Sequence, residues 1–326
     1  MTKKLQLMLT VSKKQCSQRL DRTLAELFPD YSLTCIKKWI IERGIKVNNI
    51  IIDKPKKKIF GGEYISIDVK INEIQCLEAQ NIPLDIIYED QDILIINKTH
   101  NLVVHPGPGN LNGTILNALL YYYPPIASIP RAGIVHRLDK NTTGLMVIAK
   151  TITAQIYLIQ KMKLHEIIRE YEAVVSGNII AGGMINEPIA RHSTRRTLMS
   201  VCPMGKPAIT QYRIIEHFRA HTYLRLRIET GRTHQIRVHM AYIKHPLVGD
   251  LIYGHNSPLP KGASNNLITI LRNFNRQALH AKMIRLYHPI SGLKIECHAP
   301  LPNDMSHLIT ALKIDTHEHL KPLKYD

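Results

Sequence analysis

Apolar residues recur at a helical period twice near the start of the chain. Leu20, Leu24 and Leu27 stand at i, i+4 and i+7, which predicts a helix with a single buried stripe. Cys35, Ile36, Trp39 and Ile40 mark one side of a second helix over 34–43, with Lys37 and Lys38 outside it and Gly44 as its stop. The period then falls to two. IKVNNIII and EYISIDV read as strands, parted by the basic turn DKPKKK and by Gly61-Gly62. A small separate domain over 1–75 is predicted, then a polar linker over 76–84, then a larger unit over 85–326.

In the larger unit strands dominate. DIIYED and QDILIINK form a hairpin around an acidic turn, and the Gly/Pro-rich loop HPGPGN leads to a helix over TILNALLYYY. Apolar runs on both sides of HRLDKNTTG predict a loop held between two buried strands. A helix carrying Ile152, Ile156 and Ile159 follows, then strands over REYEAVVSG, AITQYRII and TYLRLRIE. The final motif-bearing helix spans 233–244, with Ile236, Met240 and Ile243 as its apolar stripe. Two polar rows flank that stripe: His234, Arg237 and Lys244, and Arg232, Gln235 and His239. Adjacent strands outnumber helices, so the expected class is α+β with a mixed, mostly antiparallel sheet.

Charge narrows the function. The 326 residues carry a net +17, which points to a polyanionic partner because neutralised phosphates release counterions. Residues 1–75 hold 15 basic against 8 acidic groups, so the small domain is disproportionately cationic. Lys37, Lys38, Lys56 and Lys57 are its candidate phosphate contacts. No apolar run is long enough to cross a bilayer. The five cysteines form no CxxC pair, which fits reduced thiols in the cytoplasm. HEIIR lacks the second His of a zinc-protease motif, and MGKP lacks the spacing of a phosphate loop. No metal or cofactor is expected.

Two segments carry candidate chemistry. In GIVHRLDKNTTG, Asp139 either caps a turn or presents a rigidly placed carboxylate. In ETGRTHQIRVHM, Gly231 and Thr233 mark a helix start that favours anions, and Arg237 beside the apolar stripe can meet a carboxylate from elsewhere.

With YEDQDILIINK, LVVHPGPGNLNGT, GIVHRLDKNTTGLMVIAKT, REYEAVVSG, GRTHQIRVHMAYIKHPLVGD and ALHAKMIRLYHP in this order, the chain resembles the A/C/D group of RNA pseudouridine synthases that modify large-subunit ribosomal RNA. Its start, a helix pair then a hairpin, resembles an S4 RNA-binding domain. The spacing is most similar to the D branch. The resemblance implies Asp139 as the catalytic aspartate, Tyr171 as the aromatic beside the target base and Arg237 as the partner of Asp139. Arg137 matches the residue that enters the space left by the extruded base. Arg191, Arg195, Arg196 and Arg232 are expected to hold the strand near the site. The implied target is 23S ribosomal RNA, free or in a subunit precursor, at U1911, U1915 and U1917. Two departures stand out: Thr143 replaces the family's Ser, and Lys98-Thr99-His100-Asn101 replaces its Lys-Pro-x-Gly turn.

Pseudouridine formation breaks N1–C1′ and rejoins the ring through C5, so it consumes no ATP, redox cofactor or metal. It asks for one carboxylate, acting on the base or the sugar or as a base on a sugar proton. Two other readings remain: the same chemistry on another 23S or transfer-RNA uridine, and a non-catalytic RNA-binding assembly factor. A monomer is expected.

Overall fold

The computed structural model describes residues 2–12, 15–28, 33–72, 78–107, 109–254 and 259–320. It divides into two units, Met1–Leu77 and Glu78–Asp326. Cys76 of the expected linker lies outside the described residues.

The first unit holds β1 (Thr2–Thr10), α1 (Leu20–Leu27), α2 (Leu33–Ile41), β2 (Ile45–Val47), β3 (Ile50–Ile51) and β4 (Tyr64–Asn72). Its sheet runs β1-β4-β2-β3. Leu20, Leu24, Ile36, Trp39 and Ile40 pack with Ile45, Ile65 and Ile67 of the sheet. Leu27 does not join them and is 37% exposed. Helix α1 ends there, and Phe28 packs against the core in its stead. The left-handed residue after α2 is Arg43, φ 62°, rather than Gly44. Gly44 answers a different need, since a Cβ there would lie 2.2 Å from Val69 Cγ1. Asn48 and Asn49, both with positive φ, make the tight turn from β2 to β3.

The second unit is one nine-stranded sheet with helices on its faces. In chain order it has β5 (Ile86–Glu89), β6 (Ile93–Lys98), α3 (Ile115–Tyr122), β7 (Thr143–Ala149), α4 (Ile152–Lys163) and β8 (Ile168–Ser176). Then come β9 (Gly183–Asn186), β10 (Ile189–Arg191), β11 (Met199–Val201), β12 (Ile209–His217), β13 (His221–Ile228) and α5 (Gln235–Tyr242). The chain continues with α6 (Asn265–Asn273), β14 (Leu279–Tyr287), β15 (Lys294–His298) and α7 (Asn303–Leu320). The order is β5-β6-β7-β14-β8-β13-β12-β9, with β15 also on β14 and β10–β11 as a separate hairpin. Every pair is antiparallel except β7–β14, which is parallel at Thr143↔His280 and Gly144↔Ala281. The sheet is therefore mixed and mostly antiparallel.

Strand alternation sends neighbouring residues to opposite faces. Leu94, Ile96, Met146 and Ile148 pack with Leu116 and Leu119 of α3 and with Ile236 and Met240 of α5. Ile93, Ile95, Leu145 and Val147 pack with Ala154 and Leu158 of α4. Val174 and Tyr223 pack with Met305, Leu308 and Leu312 of α7.

One expectation is corrected here. The residues before Asp139 are not a strand: two 3-10 turns, Pro124–Ser128 and Pro130–Gly133, lead to a single bridge, Ile134↔Ile148. Pro124, Pro125 and Pro130 lack the N–H groups a strand needs and start those turns instead. Ile152, Ile156 and Ile159 lie on the exposed side of α4, at 53%, 63% and 37% exposure. Ala154 and Leu158 face the sheet, packed with Ile93, Ile95, Leu145 and Val147.

Candidate active site

Asp139 stands on the loop before β7, and that loop is fastened at successive residues. Lys98 Nζ donates to Lys140 O at 2.9 Å, and Arg276 Nη1 to Asn141 O at 3.3 Å. Gln277 Nε2 donates to Thr142 Oγ1 at 3.0 Å, and Thr143 Oγ1 bonds His280 Nδ1 at 2.9 Å. A glycine closes each end of the segment. At Gly133, φ 70°, a Cβ would lie 1.8 Å from Ala149 O; at Gly144, φ 109°, one would lie 2.3 Å from Ala281 O. No other residue allows that approach.

Lys98 is fully buried at the end of β6, and its Nζ also donates to Thr99 O at 2.7 Å and Leu102 O at 3.0 Å. Burial pushes its ammonium down to about 7, against the pull of Asp139. Asn101 turns the chain at φ 60°, so the altered Lys-Pro-x-Gly turn keeps its left-handed residue.

Arg237 comes from α5 and is 5% exposed. Its Nη1 donates to Asp139 Oδ2 at 3.2 Å, while Nε and Nη2 grip Asp250 at 2.7 and 2.9 Å. Asp250 also accepts from the amides of Ile252 and Tyr253, at 2.9 and 3.1 Å. Burial opposes charge on both groups, yet their pairing outweighs it. Arg237 is held above its ordinary value and Asp250 below.

His234 caps α5 in the left-handed conformation, φ 56°. The Tyr253 hydroxyl accepts from Met199 N at 2.9 Å and lies 2.9 Å from His234 Nδ1. The other ring nitrogen, Nε2, lies 3.9 Å from Asp139 Oδ1. The Tyr253 ring also lies under Arg237, whose Cζ is 5.0 Å from its centroid.

Tyr171 projects from β8 into the same place, 5% exposed, and burial raises its phenol, keeping it neutral. With Asp139, Arg237, Arg137 and Arg232 it lines a cavity of about 740 Å³. Arg137 is exposed at that cavity, and Arg232 is tied by Nε to Pro207 O at 3.0 Å. Arg191, Arg195 and Arg196 are exposed on β10 and the loop after it, and they do not line the cavity. Lys37, Lys38, Lys56 and Lys57 belong to the first unit. Three of these are exposed, whereas Lys37 pairs with the buried Asp21 at 3.7 Å.

Periodicity did not single out Asp250, Lys98 or Arg276. It also placed Gln235 and His239 on a polar row, yet both are buried. Gln235 bonds Thr230, Ile209 O and Thr210, and His239 bonds Thr210 and Glu187 O. They clip α5 to the sheet. Among the described residues one cluster has metal-binding residue types, Asp90, Asp92 and His288, away from the cavity lining. His288 Nδ1 accepts from the amides of Ile290 and Ser291, so Nε2 carries the proton facing Asp90 at 3.0 Å. That ring has no free lone pair for a metal.

A family model described as RNA pseudouridylate synthase matches residues 92–242, and one described as S4 domain matches 18–63. The ribosomal large subunit pseudouridine synthase D of Salmonella typhimurium is 63% identical over 319 residues, 98% of each chain. Its namesake from Escherichia coli is 61% identical over the same span, and that of Haemophilus ducreyi 59% over 325 residues, 100% of each chain. Among solved structures, human RNA pseudouridylate synthase domain containing 4 is similar with a TM-score of 0.55 at 22% identity. That match covers 70% of this chain and 93% of the other, and it shows the fold alone. Human RNA pseudouridylate synthase domain containing 1 gives a TM-score of 0.52 at 25% identity, over 72% and 96%.

Proposed function

Because the chain belongs to the RNA pseudouridine synthases, we propose that Asp139 is the carboxylate with which it isomerises uridine, and that its targets lie in 23S ribosomal RNA. The observation that carries the first part is the ion pair of Asp139 and Arg237 on a fastened loop inside a cavity, with Tyr171 beside it. The reaction breaks N1–C1′ and forms C5–C1′; the C5 hydrogen leaves to solvent and N1 gains a proton. A nucleophile or base for this must be rigid, and the bonds from Lys98, Arg276, Gln277 and His280 make its loop so.

Uridine must leave its stack to reach Asp139, at a cost of a few kcal/mol. Arg137, exposed at the cavity, offsets part of this by stacking where the base was, and Tyr171 packs against the flipped uracil. Arg232 holds the strand nearby, and Arg191, Arg195 and Arg196 hold it further from the cavity. The relatives' names place their action on the large ribosomal subunit, which supports 23S RNA here. Within it, U1911, U1915 and U1917 are the targets implied by the resemblance. The S4 match supports RNA capture by the domain over 1–75 through Lys38, Lys56 and Lys57, joined by the linker 76–84 to the catalytic domain over 85–326. No described helix is long and apolar enough to cross a membrane.

The test is tritium release from 23S RNA labelled at C5 of uridine. The unsubstituted protein should release tritium and the Asp139→Asn protein should not. Equal release by both would remove Asp139 from the chemistry, and release by neither would leave only an RNA-binding protein.

A further inference from the structure

Strand β8 sends Arg169 to the same face as Tyr171, two residues on, and Arg169 lines the cavity with Asp139. It is 8% exposed. Its Nε has no hydrogen-bond partner in the protein, and Nη2 reaches only Glu229 O at 3.5 Å. Among the described residues no carboxylate pairs with it. Neighbouring buried cations are answered: Arg237 by Asp139 and Asp250, Arg276 by Asp304, and Lys98 by three carbonyl oxygens. Burial alone drives the Arg169 guanidinium below its ordinary value. A buried charge left without a counter-charge is unfavourable, and it persists in a cavity where a ligand supplies the partner.

A second donor waits beside it. His136 Nε2 accepts from Val147 N at 3.0 Å, so the ring proton sits on Nδ1, which is buried and unpartnered. Burial keeps this ring neutral, pushed down to about 3. The cavity thus offers Arg169 and His136 as unmet donors, one of them charged; His105 Nδ1 is a third buried lining nitrogen without a partner, and the only carboxylate in the lining is Asp139. A uracil carbonyl would meet the hydrogen bonds and leave the charge uncompensated. Phosphodiester oxygens meet both, and the planar guanidinium fork suits them. Gly231, itself exposed, lies against this guanidinium, where a Cβ would stand 3.1 Å from Arg169 Nη1.

We infer that Arg169 binds a backbone phosphate of the RNA strand at the flipped uridine, with His136 Nδ1 as its neutral co-donor. The inference rests on the reading of the cavity as the uridine site. Arg169 is then a binding residue whose counter-charge arrives with the substrate.

The test uses the full chain with a transcribed 23S RNA fragment, binding being measured against salt in an Asp139→Asn background to prevent turnover. Arg169→Met should lower the slope of log affinity against log salt by about 0.7 to 0.9, the share of one phosphate, and Arg169→Lys should retain it. The Arg169→Met protein should also melt no lower than its parent. Weaker binding with an unchanged slope would assign Arg169 to the neutral base, and a lowered melting temperature would make it structural; either overturns the inference. Tritium release by the unsubstituted protein separates the two levels. Without it the uridine-site reading fails; with it and an unchanged slope, only this inference does.

Discussion

Asp250 grips both forks of Arg237, through Nε at 2.7 Å and Nη2 at 2.9 Å, and so leaves Nη1 aimed at Asp139. Asp250 does not itself line the cavity and acts through Arg237, which does. Asp250→Asn keeps the shape and the backbone bonds while releasing one charged contact. Single-turnover tritium release should fall roughly tenfold to a hundredfold, in line with about 1.5 to 3 kcal/mol for a charge-assisted hydrogen bond. Binding of 23S RNA should be unchanged. A matching loss in binding would show that Asp250 serves the RNA surface instead.

The basic turn of the first unit is pinned to α1 by Leu20 N to Lys57 O, 2.8 Å, and Asp21 N to Pro55 O, 3.1 Å. Lys38, Lys56 and Lys57 project from fixed backbone into solvent. Changing these three to Gln should weaken RNA binding and lower its salt slope by about 2 to 3. Changing Lys37 alone should do less, because Asp21 already engages it. Single-turnover chemistry at saturating enzyme should hold for both proteins; its loss would rule out a separate capture role.

Acid should unfold the second unit through its buried histidines. Burial lowers His136 to about 3, and His221 and His280 to about 4, from 6.5. Unfolded, each takes a proton near 6.5; folded, each resists it. The unfolded state therefore binds more protons between those values, and stability falls as pH drops from 6.5 towards 4. Urea midpoints should decline across that window, and a His280→Asn protein should decline less steeply. A flat profile would mean that these rings charge without unfolding.

Gly144→Ala tests the join between β7 and β14. Its Cβ would collide with Ala281 backbone atoms, and φ is 109°. The loss should be on the order of 3 kcal/mol, seen as a lower urea midpoint, because backbone cannot yield as a side-chain tip does. A near-neutral change would show that the strands can part by an ångström without cost.

Much of this was legible in the chain, for reasons particular residues make plain. Strands with a continuous apolar run, as around Leu94, or with alternation, as around Leu224, declared themselves, and so did the α5 stripe of Ile236 and Met240. Strand β1 did not: its reason to be a strand is β4, paired from Thr2↔Asn72 to Thr10↔Tyr64. Asp139, Tyr171 and Arg237 were named from motif resemblance. Asp250 and Arg169 were not, since their significance lies in which partners they have or lack. Ile152, Ile156 and Ile159 marked a helix, but a helical stripe cannot say which side the sheet will take.

The parallel join of β7 and β14 also sets an order of events in time. Three of the four fasteners of the Asp139 loop, Arg276, Gln277 and His280, are made late in the chain, and β14 enters the middle of the sheet between strands synthesised long before it. A nascent chain that stops short of residue 276 has the aspartate and the arginine, yet of the four fasteners only Lys98 to hold the loop. Such fragments should bind RNA through the first unit without releasing tritium. Synthesis itself then delays the first turnover until the protein is almost finished, since non-local pairing of this kind forms last.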